Sequence, residues 1–269
     1  LNLKTDRRKA EGRILAVQSY IYWLRGDNER TIKSAGQALI NLESDDILNR
    51  AVTLTSLATA LENGGLLTEA FDTLTEAMDT CCASDCTHIY ILAASAKVRL
   101  LLIFGQLQQA ELLASATIKK VLEKQSSKAD QFPALGNLYS FRAEIFRFRN
   151  NLTAAFEMAN EGARLGQLWG QADTTITTQV IKGAVLWTLG KPEETLRILE
   201  EIKPLAALIS PWYLNYLCAY LVHMGMDPDQ VKCDCKWLDL QQTISKSEFN
   251  HHESVLCCAR VRILYSSNR

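Results

Sequence analysis

The sequence predicts an all-α fold, a right-handed α-solenoid of about six helix pairs followed by part of a seventh. Three observations predict it. Gly (13) and Pro (5) are scarce in a 269-residue chain that is 48% hydrophobic, so little of it can be turn and long helices are favoured. Turn residues recur with a period of a few tens of residues, which belongs to helical repeat arrays. The prolines fall at the ends of the expected helices.

The repeat is anchored on Gly26, Gly65, Gly105, Asn150, Gly190 and Gly225, spaced by 39, 40, 45, 40 and 35 residues. Each anchor follows an apolar helical stretch and precedes an amphipathic one. There the chain must leave a helix through a left-handed residue, which Gly permits and Asn tolerates. Four residues before the anchors stand Tyr22, Leu61, Leu101, Phe146, Leu186 and Leu221, expected as core knobs. Seven before stand Ser19, Ala58, Val98, Ala143, Gly183 and Cys218, and five after stand Thr31, Ala70, Ala110, Ala155, Thr195 and Gln230. Most of these are small, so two helices can approach closely. Such an alternation around a turn is what a tetratricopeptide-like pair requires, with helix A packed against helix B and the next helix A seated in their groove.

The remaining elements follow this register. Pro133, Pro192, Pro211 and Pro228 are expected to open helices and Pro204 to close one, with Ser210 and Asp227 as capping side chains. The polar stretch from Lys124 to Phe132 is the longest connection and is read as a loop within a single domain spanning residues 1–269. Ser254 to Tyr265 reads as a further helix A without its helix B, from which a fragment of a longer polypeptide is expected.

Charge narrows the function. There are 29 basic and 30 acidic residues and no basic run, so no nucleic-acid footprint is visible. No apolar stretch reaches the ~18–20 uncharged residues of a membrane helix, and the N-terminus lacks an export signal; a cytoplasmic domain is expected. The eight cysteines lie in helical patterns. Cys81, Cys82, Cys86, Cys233, Cys235, Cys257 and Cys258, the last two near His251 and His252, could ligate zinc but form no paired CxxC motif; reduced packing thiols are the expectation, with no metal or cofactor.

The fourth repeat carries Pro133-Ala134-Leu135-Gly136, Ala143-Glu144, Asn150-Asn151-Leu152 with Ala155, and Gly162 with Leu165. This succession resembles the MalT-like sensor domain of large ATP-dependent LuxR-type transcriptional regulators, with Asn151 where that family usually has an acidic residue. His252-Glu253 to Cys258-Ala259-Arg260-Val261 is similar to a later repeat of the same family, without its final Gly. The resemblance implies a regulatory domain that senses a small-molecule or peptide effector and passes the change to other domains, an ATPase and a DNA-binding module absent from this chain. A scaffold that docks a peptide or a partner helix is the alternative reading, and homo-oligomerisation stays open.

No nucleophile elbow or metal-ligand motif surrounds His88, His223, His251 or His252, so no enzymatic activity is expected. The stretch Gly183 to Gly190-Lys191-Pro192 has the wrong spacing for a phosphate loop and reads as a helix-to-helix turn. Helix-A residues ten, six, three and two before each anchor are expected to line the concave face: Thr55, Thr59 and Glu62, then Ser95 and Arg99, then Ser140, Glu144, Arg147 and Phe148, then Trp187, Asn215 and His223. Tyr20 and Trp23 are expected near the other end. Of these, Arg99, Ser140, Glu144, Arg147, Trp187, Asn215 and His223, together with Trp212 at the open end of its helix, are the candidate effector site. Arginines would hold ligand oxygens, Glu144 would orient one of them, and Trp187 would offer a stacking face. The charge balance predicts that the chain produces no salt-dependent gel shift with DNA or RNA.

Overall fold

The computed structural model describes residues 3–82, 86–124 and 129–209. Ten α-helices lie in these residues: α1 (Leu3–Leu24), α2 (Asn28–Asn41), α3 (Ile47–Asn63), α4 (Leu67–Cys82), α5 (Thr87–Ile103), α6 (Leu107–Lys124), α7 (Gly136–Phe148), α8 (Leu152–Trp169), α9 (Ala172–Thr188) and α10 (Pro192–Ile209). Two 3₁₀ turns, Ala129–Gln131 and Pro133–Leu135, precede α7. Two compact units divide between Gln125 and Ser126, within the longest connection. The first holds α1–α6 and the second α7–α10. Each odd-numbered helix packs on the even-numbered helix that follows it, as helix A on helix B. The sixth pair, the partial seventh and the anchor Gly225 lie outside the described residues.

One turn joins A to B in all five pairs. Gly26, Gly65, Gly105 and Gly190 have φ between 70 and 82°, and Asn150 has φ 58°. The residue after each anchor donates its N–H back to the carbonyl four residues before the anchor: Asp27 to Tyr22, Leu66 to Leu61, Gln106 to Leu101, Asn151 to Phe146 and Lys191 to Leu186, at 2.8–3.0 Å. The anchor's own N–H bonds the carbonyl three residues before it. This is a Schellman closure, which satisfies the last carbonyls of helix A. The residue after the anchor then accepts, through its own carbonyl, the N–H of the fourth residue of helix B, as Asp27 does from Thr31 and Asn151 from Ala155. Asp27 and Asn151 add a side-chain cap, to Arg30 N and Ala154 N.

The packing columns follow. Ser19, Ala58, Val98, Ala143 and Gly183 are buried, as are Thr31, Ala70, Ala110, Ala155 and Thr195. In the column of expected core knobs, Leu101 and Leu186 are buried, whereas Tyr22, Leu61 and Phe146 are only half-buried. Their carbonyls, not their side chains, are what the turn requires of that position. In the second unit α7 and α8 meet through Gly136 and Gly162, where an added Cβ would stand 2.9 Å from opposing backbone atoms.

Pro192 opens α10 as expected, but Pro204 does not close it, because α10 continues to Ile209. Pro204 is exposed, so water can reach the carbonyl left without a donor, and the Leu-Ala-Ala-Leu run that follows favours helix. No helix among the described residues is long and apolar enough to cross a membrane.

Gly105 has φ +72° and nothing within 4 Å of the position an added Cβ would take, so substitution there carries backbone strain without a clash. Gly105→Val is expected to cost about 1–2 kcal/mol in urea unfolding. An unchanged midpoint would show that this turn does not need a left-handed residue.

Candidate functional site

Two charged pairs stand on the helix-A faces, one in each unit. In the first, Arg99 Nη2 on α5 donates to Glu62 Oε2 on α3 at 2.6 Å. Glu62 lies in the last turn of α3, three residues before its anchor, and Arg99 lies six before the next, so successive A helices bring the two columns into register. The Glu62 side chain is 5% exposed and that of Arg99 40%. Burial pushes the Glu62 carboxyl above its usual range, and the Arg99 charge and hydrogen bond oppose that rise. The other N–H groups of Arg99 meet no acceptor among the described residues.

In the second unit Arg147 grips Glu144 one helical turn away in a bidentate pair, Nε to Oε2 at 2.9 Å and Nη2 to Oε1 at 2.6 Å. Both side chains are about nine-tenths buried, and the Arg147 guanidinium lies 4.6 Å from the centroid of the Phe148 ring. Trp187 is half-buried on α9, three residues before its turn, where its carbonyl accepts the N–H of Gly190.

The structure therefore joins Glu144 to Arg147 but gives Arg99 a different partner, Glu62. Ser140 is corrected as a lining residue: it is fully buried at the close approach of α7 to Gly162 on α8. That Gly lacks the side chain that would hold the helices apart. Ser95 is likewise buried, its hydroxyl donating to Ile91 O at 2.8 Å. Trp212, Asn215 and His223 lie outside the described residues. Tyr20 and Trp23 occupy the same two columns on α1, with ring centroids 5.3 Å apart. The Glu62–Arg99 pairing was absent from the sequence reading, although opposite charges in columns three and six of adjacent repeats could have signalled it.

Cys81 is buried and its thiol pushed up to about 12, while exposed Cys82 accepts from Lys120 Nζ at 3.3 Å. Cys81, Cys82 and Cys86 form no disulfide, and no cluster of His, Cys, Asp and Glu suited to a metal occurs among the described residues. The remaining cysteines lie outside them.

A family model described as the MalT-like TPR region matches residues 12–268. Among solved structures, the apo form of RapI is similar over 96% of this chain and 85% of its own, with a TM-score of 0.64 at 11% identity. BtubC (BKLC) from P. vanneervenii is similar over 77% of this chain and 90% of its own, with a TM-score of 0.53 at 13% identity. At these identities the likeness is one of fold. No curated protein sequence matches the chain.

The raised Glu62 carboxyl fixes a pH signature. A carboxyl whose folded-state pKa is raised contributes stability below its unfolded pKa, and that contribution is lost as pH rises through the folded value. Removing Arg99 raises the folded value further. Arg99→Ala is thus expected to cost about 1–2 kcal/mol at pH 7, less than the ~3–5 kcal/mol for a fully buried pair because water screens the exposed guanidinium. The cost should shrink towards pH 4, where Glu62 is protonated, and Glu62→Gln should relieve it. Urea unfolding at the two pH values checks this; equal costs would contradict it.

Proposed function

The chain belongs to the MalT-like TPR family, and from that premise we propose that it is the non-catalytic sensing domain of a LuxR/MalT-type transcriptional regulator acting in the cytoplasm. It binds an effector on its helix-A surface and passes the change to other domains of the full-length protein. The observation that carries this reading is Arg99. Buried Glu62 holds the guanidinium at one nitrogen, and the side chain remains 40% exposed with further donors to offer. An arginine fixed in this way is pre-organised for a carboxylate, phosphate or hydroxyl oxygen of a ligand. Arg147 is less open, being bound twice to Glu144 and covered by Phe148, and serves to shape the surface in its own unit.

A second reading, a scaffold that docks a peptide or a partner helix, draws on Tyr20 and Trp23. They place half-open aromatic rings in the columns that carry Glu62 and Arg99 two and four helices further on.

Thermal-shift measurements with a panel of nucleotides, sugar phosphates, dicarboxylates and short peptides test the proposal. At least one compound is expected to raise the melting temperature, because a ligand held only by the native state stabilises it by mass action. The rise should be lost in Arg99→Ala. A rise that survives Arg99→Ala, Arg147→Ala and Trp187→Ala alike would place the site elsewhere. A rise given only by peptides and lost on removing Tyr20 and Trp23 would favour the scaffold.

A further inference from the structure

Cys81, Cys82 and Cys86 stand close together where α4 gives way to α5, and the fold treats each differently. Cys81 faces the core, and burial pushes its thiol up to about 12, so at neutral pH it stays protonated and inert. Cys86 is half-buried on a cavity that it shares with Asp45 and Asp46, where negative charge already stands. Cys82 ends α4 and is exposed. Helix packing accounts for Cys81 and leaves Cys82 unexplained.

What distinguishes Cys82 is a cation brought to it from another helix. Lys120 on α6 lies 38 residues away in sequence, and its Nζ donates to Cys82 Sγ at 3.3 Å. The same ammonium sits 4.3 Å from the centroid of the Tyr90 ring on α5, so an aromatic face holds it beside the sulfur. No carboxylate among the described residues pairs with it, the neighbouring Lys119 taking Glu123 at 3.8 Å. The hydrogen bond to Cys82 raises the Lys120 ammonium above its usual range, outweighing the opposing effect of burial, and Tyr90 adds to the rise. The lysine therefore stays charged. An ammonium this close favours negative charge on the sulfur, and the thiolate is the form that attacks electrophiles. Exposure meets the other requirement, because an oxidant has to reach the sulfur from solvent.

We propose that Cys82 is a site of oxidation by hydrogen peroxide, with Lys120 as the proton donor of the reaction. The Cys82 thiolate attacks one peroxide oxygen, and an S–O bond forms as the O–O bond breaks. Hydroxide is a poor leaving group, and here it takes a proton from the adjacent Lys120 ammonium and departs as water. Sulfur gives two electrons to the peroxide, and a sulfenic acid is left beside a neutral amine. The site is built from α4, α5 and α6, whereas the Glu62–Arg99 pair joins α3 to α5, so this proposal and the effector reading stand or fall separately.

Brief exposure of the reduced chain to hydrogen peroxide, trapping of sulfenic acids with a 1,3-dione and site-resolved mass spectrometry test the assignment. Cys82 is expected to take the label ahead of Cys81 and Cys86. Lys120→Met should slow that labelling about tenfold at pH 7, and alkylation of Cys82 by iodoacetamide with it, while helical circular dichroism stays unchanged. Lys120→Arg keeps the charge but does not give up its proton. It should therefore restore alkylation, whose iodide leaving group needs no proton, and leave peroxide oxidation slow. Label on Cys81 or Cys86 before Cys82 overturns the proposal, as does an unchanged peroxide rate in Lys120→Met. Equal recovery of both reactions in Lys120→Arg overturns the proton transfer.

Discussion

The turn from helix A to helix B is the constraint from which the other features follow. A left-handed residue lets the chain close the carbonyls of one helix and open the N–H groups of the next within two residues, so that Asp27, Leu66, Gln106, Asn151 and Lys191 end one helix and cap its successor. Because the closure has the same hydrogen bonds each time, positions counted from it acquire fixed environments. In the five described pairs the residue five after the turn is buried and is Ala or Thr, and the residue seven before it is buried as well. Local backbone geometry thereby sets packing, and packing decides which side chains are left to face outward.

That dependence explains what the sequence made legible. Gly and Asn at regular spacing are rare enough to be read directly, and the small residues around them confirmed the register. In the column of Tyr22, Leu61 and Phe146 a linear pattern does not separate backbone from side chain, and only the carbonyl is constrained. Pro204 misled because a proline's effect depends on whether solvent reaches the orphaned carbonyl, which a linear pattern does not display. Ser140 misled because its burial is set by Gly162, a residue in another helix.

The charged pairs show the same division. Glu144 and Arg147 are three residues apart on one helix, and their meeting could be inferred from spacing. Glu62 and Arg99 are 37 residues apart, and their meeting depends on how one A helix is set against the next. Here the position three before one turn meets the position six before the following turn. A buried carboxylate at the first holds a half-open guanidinium at the second, and this is the link between the repeat geometry and the ligand capture we propose.

A double-mutant cycle on Glu62 and Arg99, read by urea unfolding at neutral pH, tests this link most directly. Glu62→Gln, Arg99→Met and the double variant give a coupling free energy between the two positions. A coupling of about 1 kcal/mol or more is predicted, given one partner buried and the other half-open. Additive effects with no coupling would contradict the account, because the two columns would then not meet and nothing would hold Arg99 in place to receive a ligand.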